Sequence, residues 1–147
     1  MSDTLKPETI AIVKATAPAL RKHGLEITTR MYERLFVDPD VRALFDQAAQ
    51  ESGEQPKRLA QAILGFAENV DKLEALSGAV ERMAHRHIQT GVKPEHYPMV
   101  AAALLPAIRD ILGDAATDEV LSAWGEAYGL LADILIAREK ELYQLAA

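Results

Sequence analysis

Apolar residues recur at spacings of three and four along almost the whole chain, the period of helices with one buried face. Pro7 suits a first helical position, and Ile10, Val13, Ala17 and Leu20 follow on one stripe, with Pro18 placed to kink that helix and Gly24 to end it as a C-cap. A second helix is predicted from Leu25, carrying Leu25, Thr28, Tyr32, Leu35 and Phe36 inward. Asp38-Pro39 reads as an N-cap and first helical residue of a short helix bearing Val41, Leu44 and Phe45. Periodicity lapses from Asp46 to Glu54, the composition of a mobile connector, and resumes at Gln55-Pro56 with Leu59, Ile63, Phe66, Ala67 and Val70.

Leu73 to Gln89 predicts another helix, stopped by Gly91, on which Val80, Met83, Ala84, His87 and Ile88 share a face while His85 turns to solvent. Lys93 to Pro98 starts the next, with Tyr97, Val100, Leu104, Ile108 and Ile111 inward and Gly113 at its end. Thr117-Asp118-Glu119 opens a last helix, the longest, whose stripe of Val120, Trp124, Tyr128, Leu131 and Leu135 continues to Glu139. Glu139 lies eleven residues after Tyr128, which is only about 20° around a helix. No strand pattern or internal repeat interrupts this series, so the predicted class is all-α, with about seven to eight helices over residues 1–147 as one domain.

Composition narrows the chemistry. The chain has 147 residues, a formal charge of −6 and scattered basic residues, which argues against nucleic acid as a partner. It has no cysteine, excluding disulfides, thiolate ligands and covalently attached c-type haem. No leader pattern and no run of 18 uninterrupted apolar residues is present, so a cytoplasmic protein without an integral membrane segment is expected. Phosphate loops, His-Glu-x-x-His and serine elbows are likewise missing from the sequence.

What remains is an inward imidazole at His87, an inward Tyr32 and an apolar core. Periodicity by itself reads His87 as a core histidine with both nitrogens satisfied before it reads it as a ligand. Tyr97 reads equally as a core aromatic with its hydroxyl at the surface, and Glu139 as a solvated residue beside Arg138, Lys140 and Glu141. One compact account of all of them is a planar apolar cofactor between helices, whose iron takes one imidazole backed by a hydrogen-bond acceptor.

The motifs Tyr32 to Phe36, Val41 to Phe45, Gln50-Glu51-Ser52 with Glu54 to Lys57, Val80 to His87, His96-Tyr97-Pro98, Leu112 to Asp118 and Ala123-Trp124-Gly125 with Ala127-Tyr128-Gly129 together resemble one family. It is that of the bacterial haemoglobins: single-domain globins and the globin domains of flavohaemoglobins. The resemblance implies a globin fold packed around haem b. It implies His87 as the proximal iron ligand, with Tyr97 and Glu139 hydrogen-bonding around it. On the other face it implies Tyr32 as the distal hydroxyl, Gln55 and Leu59 as distal helix positions, and Phe45 packing on the porphyrin edge.

Three functions follow as expectations. The first is reversible binding of dioxygen at ferrous iron for storage or delivery. The second is an enzyme, a nitric oxide dioxygenase or a peroxidase, in which Tyr32, Tyr97 and Glu139 act and an external reductase supplies electrons, since no flavin or nicotinamide domain is read in the chain. The third is a cofactor-free helical interaction module. Dioxygen, nitric oxide and other diatomic molecules are the expected ligands, and a homodimer using the last helix is an open association.

Overall fold

The computed structural model describes residues 5–43 and 54–146, and contains no strand among them. The helices are α1 (Pro7–Leu35), α2 (Pro39–Arg42), α3 (Glu54–Glu68), α4 (Ser77–Thr90), α5 (His96–Leu112) and α6 (Asp118–Ala146), with 3-10 turns at Leu73–Leu76 and Gly113–Ala115. α1 packs on α3, α5 and α6, and α6 packs on α4, so α1 and α6 are the two long rods against which the site-bearing helices rest.

The largest departure from the periodic reading is at Gly24. The two helices predicted on either side of it are one helix of 29 residues, Pro18 included, and Gly24 is buried inside it. Among the described residues only Gly91 and Gly113 have positive φ, so Gly24 is not a left-handed cap. It faces α3 at the helix crossing, where a Cβ would sit 3.5 Å from the Ala60 Cβ, an ordinary contact. One turn on, Thr28 Oγ1 donates to the Pro56 carbonyl of α3 at 2.8 Å, a buried bond that fixes this crossing. Running through Gly24 also changes which residues face inward: Ile27 and Met31 are in the core, whereas Leu25 is 52% exposed. Among the described residues there are six α-helices, and this fusion makes α1 as long as α6.

Several local expectations hold. The Asp38 side chain accepts from the Asp40 amide at 2.9 Å and Pro39 opens α2. Thr117 Oγ1 accepts from the Val120 amide at 3.2 Å at the head of α6. Gly91 ends α4 in the left-handed region, as its position past the last periodic residue predicts. Leu73 to Leu76 differs, forming a 3-10 turn ahead of α4. The connector predicted from Asp46 to Glu54 lies outside the described residues except for Glu54, the first residue of α3; Leu44 and Phe45 lie outside them too.

The core runs from Val13 and Leu20 through Ile27, Met31, Phe66, Leu104, Ile108 and Trp124 to Leu135. Trp124, the single tryptophan, is 3% exposed and its Nε1 donates to Thr16 Oγ1 at 2.8 Å, joining α6 to α1. Across the surface, Asp110 of α5 receives Arg30 Nε at 2.9 Å and Arg34 through Nε at 2.7 Å and Nη2 at 3.0 Å, both from α1. Among the described residues α6 alone is long and apolar enough to cross a membrane by length and composition. Its Ala123, Trp124, Ala127, Leu131 and Leu135 are buried in the fold, and Glu126, Asp133, Arg138 and Glu139 interrupt it.

Candidate functional site: an imidazole held by a buried carboxylate

His87 stands in the last turn of α4, and the backbone there is closed off. The amide of Val92 donates to the His87 carbonyl at 3.0 Å, and that of Gly91 to Ile88 at 3.4 Å. A left-handed residue is needed to make that turn, which is why a glycine follows the helix. The imidazole is thus carried on a capped helix end rather than on a loop.

Its Nδ1 lies 2.7 Å from Glu139 Oε2 and 2.9 Å from the Tyr97 hydroxyl. Tyr97 O–H in turn lies 2.8 Å from both carboxylate oxygens of Glu139. Three helices meet in this triangle, α4, α5 and α6. Glu139 is 3% and Tyr97 8% exposed, so the carboxylate is a buried charge whose partners are these two donors. Burial, reinforced by the hydrogen bond to Glu139, pushes the Tyr97 phenol well above its ordinary range. It therefore stays protonated and donates. With Tyr97 as a phenol and Glu139 as an acceptor, the imidazole proton belongs on Nδ1, and the lone pair is on Nε2.

Tyr32 is 5% exposed on α1, its ring 5.4 Å from that of Phe36. Leu59 of α3 is half-buried and packs against the core, across the crossing that Thr28 and Pro56 tie. Tyr128 links the two regions. Its hydroxyl donates to the Tyr97 carbonyl at 3.0 Å, and burial, together with Tyr32 nearby, raises its phenol above the ordinary value. On α4 the face beside His87 consists of Val80, Met83 and Ile88, all half-buried and packed on the core, and the fully buried Ala84.

Among the described residues no group of three or more His, Cys, Asp or Glu could hold a metal ion directly. Metal at His87 therefore calls for a prosthetic group that brings the remaining ligands, and the residues present fit one. An imidazole with Nδ1 bound behind it, set in a half-buried apolar face, is what an iron porphyrin requires of its protein.

The globin family profile matches residues 29–135, most of the chain: the last turns of α1, all of α2 to α5, and α6 as far as Leu135. The chain belongs to the globin family. Its cofactor is haem, the group around which globin helices pack.

A flavohemoprotein of Bordetella pertussis is 49% identical to this globin over 144 residues, 97% of this chain and 36% of that protein. The chain thus spans about a third of the length of the curated relatives it matches. Among solved structures, a bacterial globin from Campylobacter jejuni superposes with TM-score 0.87 at 43% identity, over 95% of this chain and 99% of that one. A carbene transferase engineered from a Rhodothermus marinus protein described as a nitric oxide dioxygenase gives TM-score 0.90 at 38% identity, over 97% and 99% of the two chains.

Of the residues singled out from the sequence, the structure joins His87, Tyr97 and Glu139 by hydrogen bonds and buries Tyr32. Phe45 lies outside the described residues, and of Gln55 only its backbone, in the first turn of α3, is described. Two features were not read from the sequence. Tyr128 lies on the predicted stripe of α6, yet nothing in the spacing marks its hydroxyl as the link to Tyr97. Glu81 and Arg138 pair at 2.8 and 2.7 Å between α4 and α6, and each looks like an ordinary solvated charge on its own helix.

Proposed function

We propose that this globin binds dioxygen at haem iron carried by His87, and that the bound gas is used to oxidise nitric oxide with electrons from a reductase. Haem supplies the iron at which a diatomic ligand is held and electrons are exchanged. The protein supplies the rest. His87 offers Nε2 to the iron while Glu139 accepts the Nδ1 proton. That acceptor gives the imidazole partial imidazolate character and makes it a stronger electron donor. Tyr97 holds the carboxylate in place by donating to it. Tyr32, buried and bearing a hydroxyl, is the distal group suited to donate a hydrogen bond to a polar diatomic ligand. Gln55 and Leu59 on α3, and Phe45, would complete the lining.

The observation that carries this reading beyond storage is the 2.7 Å contact between His87 Nδ1 and a carboxylate that is 3% exposed. A carrier needs only an imidazole; a site that oxidises a second molecule gains from the electron push of a buried carboxylate. In the proposed reaction one dioxygen, one nitric oxide and one electron give one nitrate, so each turnover requires a reductant. The flavohemoprotein relatives, by name, join a flavin to a haem protein, and a reductase serving this globin fits that chemistry. Reversible dioxygen binding without turnover is the competing reading, and a peroxidase activity would draw on the same proximal groups.

The test is nitric oxide consumption by the oxygenated protein, with and without a supplied flavin reductase and reduced nicotinamide. Many nitric oxide molecules should be consumed per haem with the reductase and about one without it. Consumption that stays stoichiometric in both conditions would leave a dioxygen carrier. His87→Ala should abolish the native ferrous spectrum; an unchanged spectrum would remove His87 as the ligand.

A further inference from the structure

Glu139 sits in the middle of a series of three ties between the His87 helix and α6. Ahead of it, Arg138 Nε donates to Glu81 Oε1 at 2.8 Å and Arg138 Nη2 donates to Glu81 Oε2 at 2.7 Å. In the middle is the 2.7 Å contact of His87 Nδ1 with Glu139. Beyond it, Tyr143 O–H donates to the Val92 carbonyl at 2.7 Å, just past the end of α4. The order is the same along both segments: Glu81, His87 and Val92 on one, Arg138, Glu139 and Tyr143 on the other.

We propose that Arg138, through Glu81, and Tyr143, through the Val92 carbonyl, are positioning residues that set Glu139 against the His87 imidazole and so tune its donor strength. The proposal rests on His87 being the haem ligand. Neither outer tie touches the imidazole.

Geometry favours this role over plain stabilisation. The Arg138 and Glu81 side chains are 33% and 42% exposed, and pairs in that setting contribute little to stability. A two-pronged guanidinium-carboxylate contact instead restricts sliding and rotation together. Because Arg138 and Glu139 are neighbours in the chain, a shift of α6 by one residue, about 1.5 Å, would break both prongs and draw the carboxylate away from Nδ1. The Arg138 clamp is itself braced. His85 Nε2 lies 3.0 Å from Glu81 Oε2, and Glu141 lies 3.8 Å from Arg138. Tyr143 is on the wall of a cleft of about 400 Å³ that also contains Glu139, Val92 and Pro94, so its hydroxyl holds the loop after α4 against the segment of α6 that carries the carboxylate.

The experiment uses the full chain loaded with haem and reads the iron–histidine stretching band of the ferrous protein by resonance Raman, with the thermal midpoint measured in parallel. Glu139→Gln should move the band to lower wavenumber. Arg138→Met and Tyr143→Phe should each move it the same way by less, and the double variant by more than either. The exchanged pair Glu81→Arg with Arg138→Glu should return the band toward its native position. A band unchanged in Arg138→Met, Tyr143→Phe and their double, while Glu139→Gln shifts it, would overturn the proposal and leave the role of Glu139 intact. Thermal midpoints that fall with a constant band would show the ties to be structural only. A band unmoved even by Glu139→Gln would overturn both the electron-push reading and this one. Should Arg138→Met fail to fold, the exchanged pair and Tyr143→Phe carry the same decision: a shifted Tyr143→Phe band and a native-like exchanged pair support the proposal, and the reverse overturns it.

Discussion

At Tyr97 one hydroxyl serves two neighbours. Its single proton goes to the Glu139 carboxylate, both of whose oxygens are 2.8 Å away, while its oxygen stands 2.9 Å from His87 Nδ1. The residue therefore orients the carboxylate and is itself held by Tyr128 through its carbonyl. In the proposed reading Tyr32 supplies the hydroxyl on the other side, and its contribution is separable because Tyr32→Phe removes one oxygen and leaves the ring against Phe36. Losing a hydrogen bond of about 1–2 kcal/mol to a bound ligand raises its escape rate roughly 5- to 30-fold. Flash photolysis or stopped-flow measurement of dioxygen dissociation should show a rise of that order in Tyr32→Phe. An unchanged rate would place the distal hydrogen bond elsewhere. The inward direction of His87 was legible at this scale from helical spacing, and that of Glu139 from its angular match to Tyr128. That the two meet was legible only through the family resemblance, because it depends on where α6 lies along α4, and no periodicity within one helix encodes its axial position against another.

The elements show where a local rule yields to packing. Glycine is a poor interior helix residue and a good cap, so Gly24 reads as an end, and Gly91 and Gly113 read the same way. The structure separates them by backbone: φ is 78° at Gly91 and 59° at Gly113, while Gly24 has no positive φ and lies at a helix crossing. The 3.5 Å that a Cβ would keep from Ala60 is an ordinary contact. Gly24→Ala is accordingly expected to stabilise the protein by about 0.5–1 kcal/mol through helix propensity, read as a higher denaturant midpoint with haem content unchanged. A bulkier Gly24→Leu should lower that midpoint by forcing α1 and α3 apart. The caps at Asp38, Thr117 and Gly91 were legible because each acts within one turn of its own helix. The continuity of α1 was not, since a glycine's local preference for helix ends carries no information about the packing of α1 against α3.

For the molecule as a whole, charge pairs on the outside bind helices whose inner faces are apolar. Arg34 and Arg30 hold the Asp110 carboxyl down to about 2. A carboxyl whose folded pKa is depressed lends stability at pH above its unfolded value, near 3.8 for Asp, and loses it as the pH falls toward 2. Thermal midpoints should be level above about pH 5 and decline through this window. Asp110→Asn should lower the plateau and make the decline shallower. A slope in Asp110→Asn as steep as in the native protein would mean that other carboxylates carry it. The all-α class was legible because periodic stripes and caps recur from Pro7 to Glu139, and the globin resemblance because its motifs are spread from Tyr32 to Gly129. The inter-helix charge pairs were not, since each of their members sits on a solvated face.

The bond from Trp124 to Thr16 has a practical corollary. A lone indole shielded from water and fastened across two long helices is an optical strain gauge for their separation. Its emission should be blue in the native chain and move red only when α6 parts from α1. Loosening confined to α4 should leave its colour unchanged.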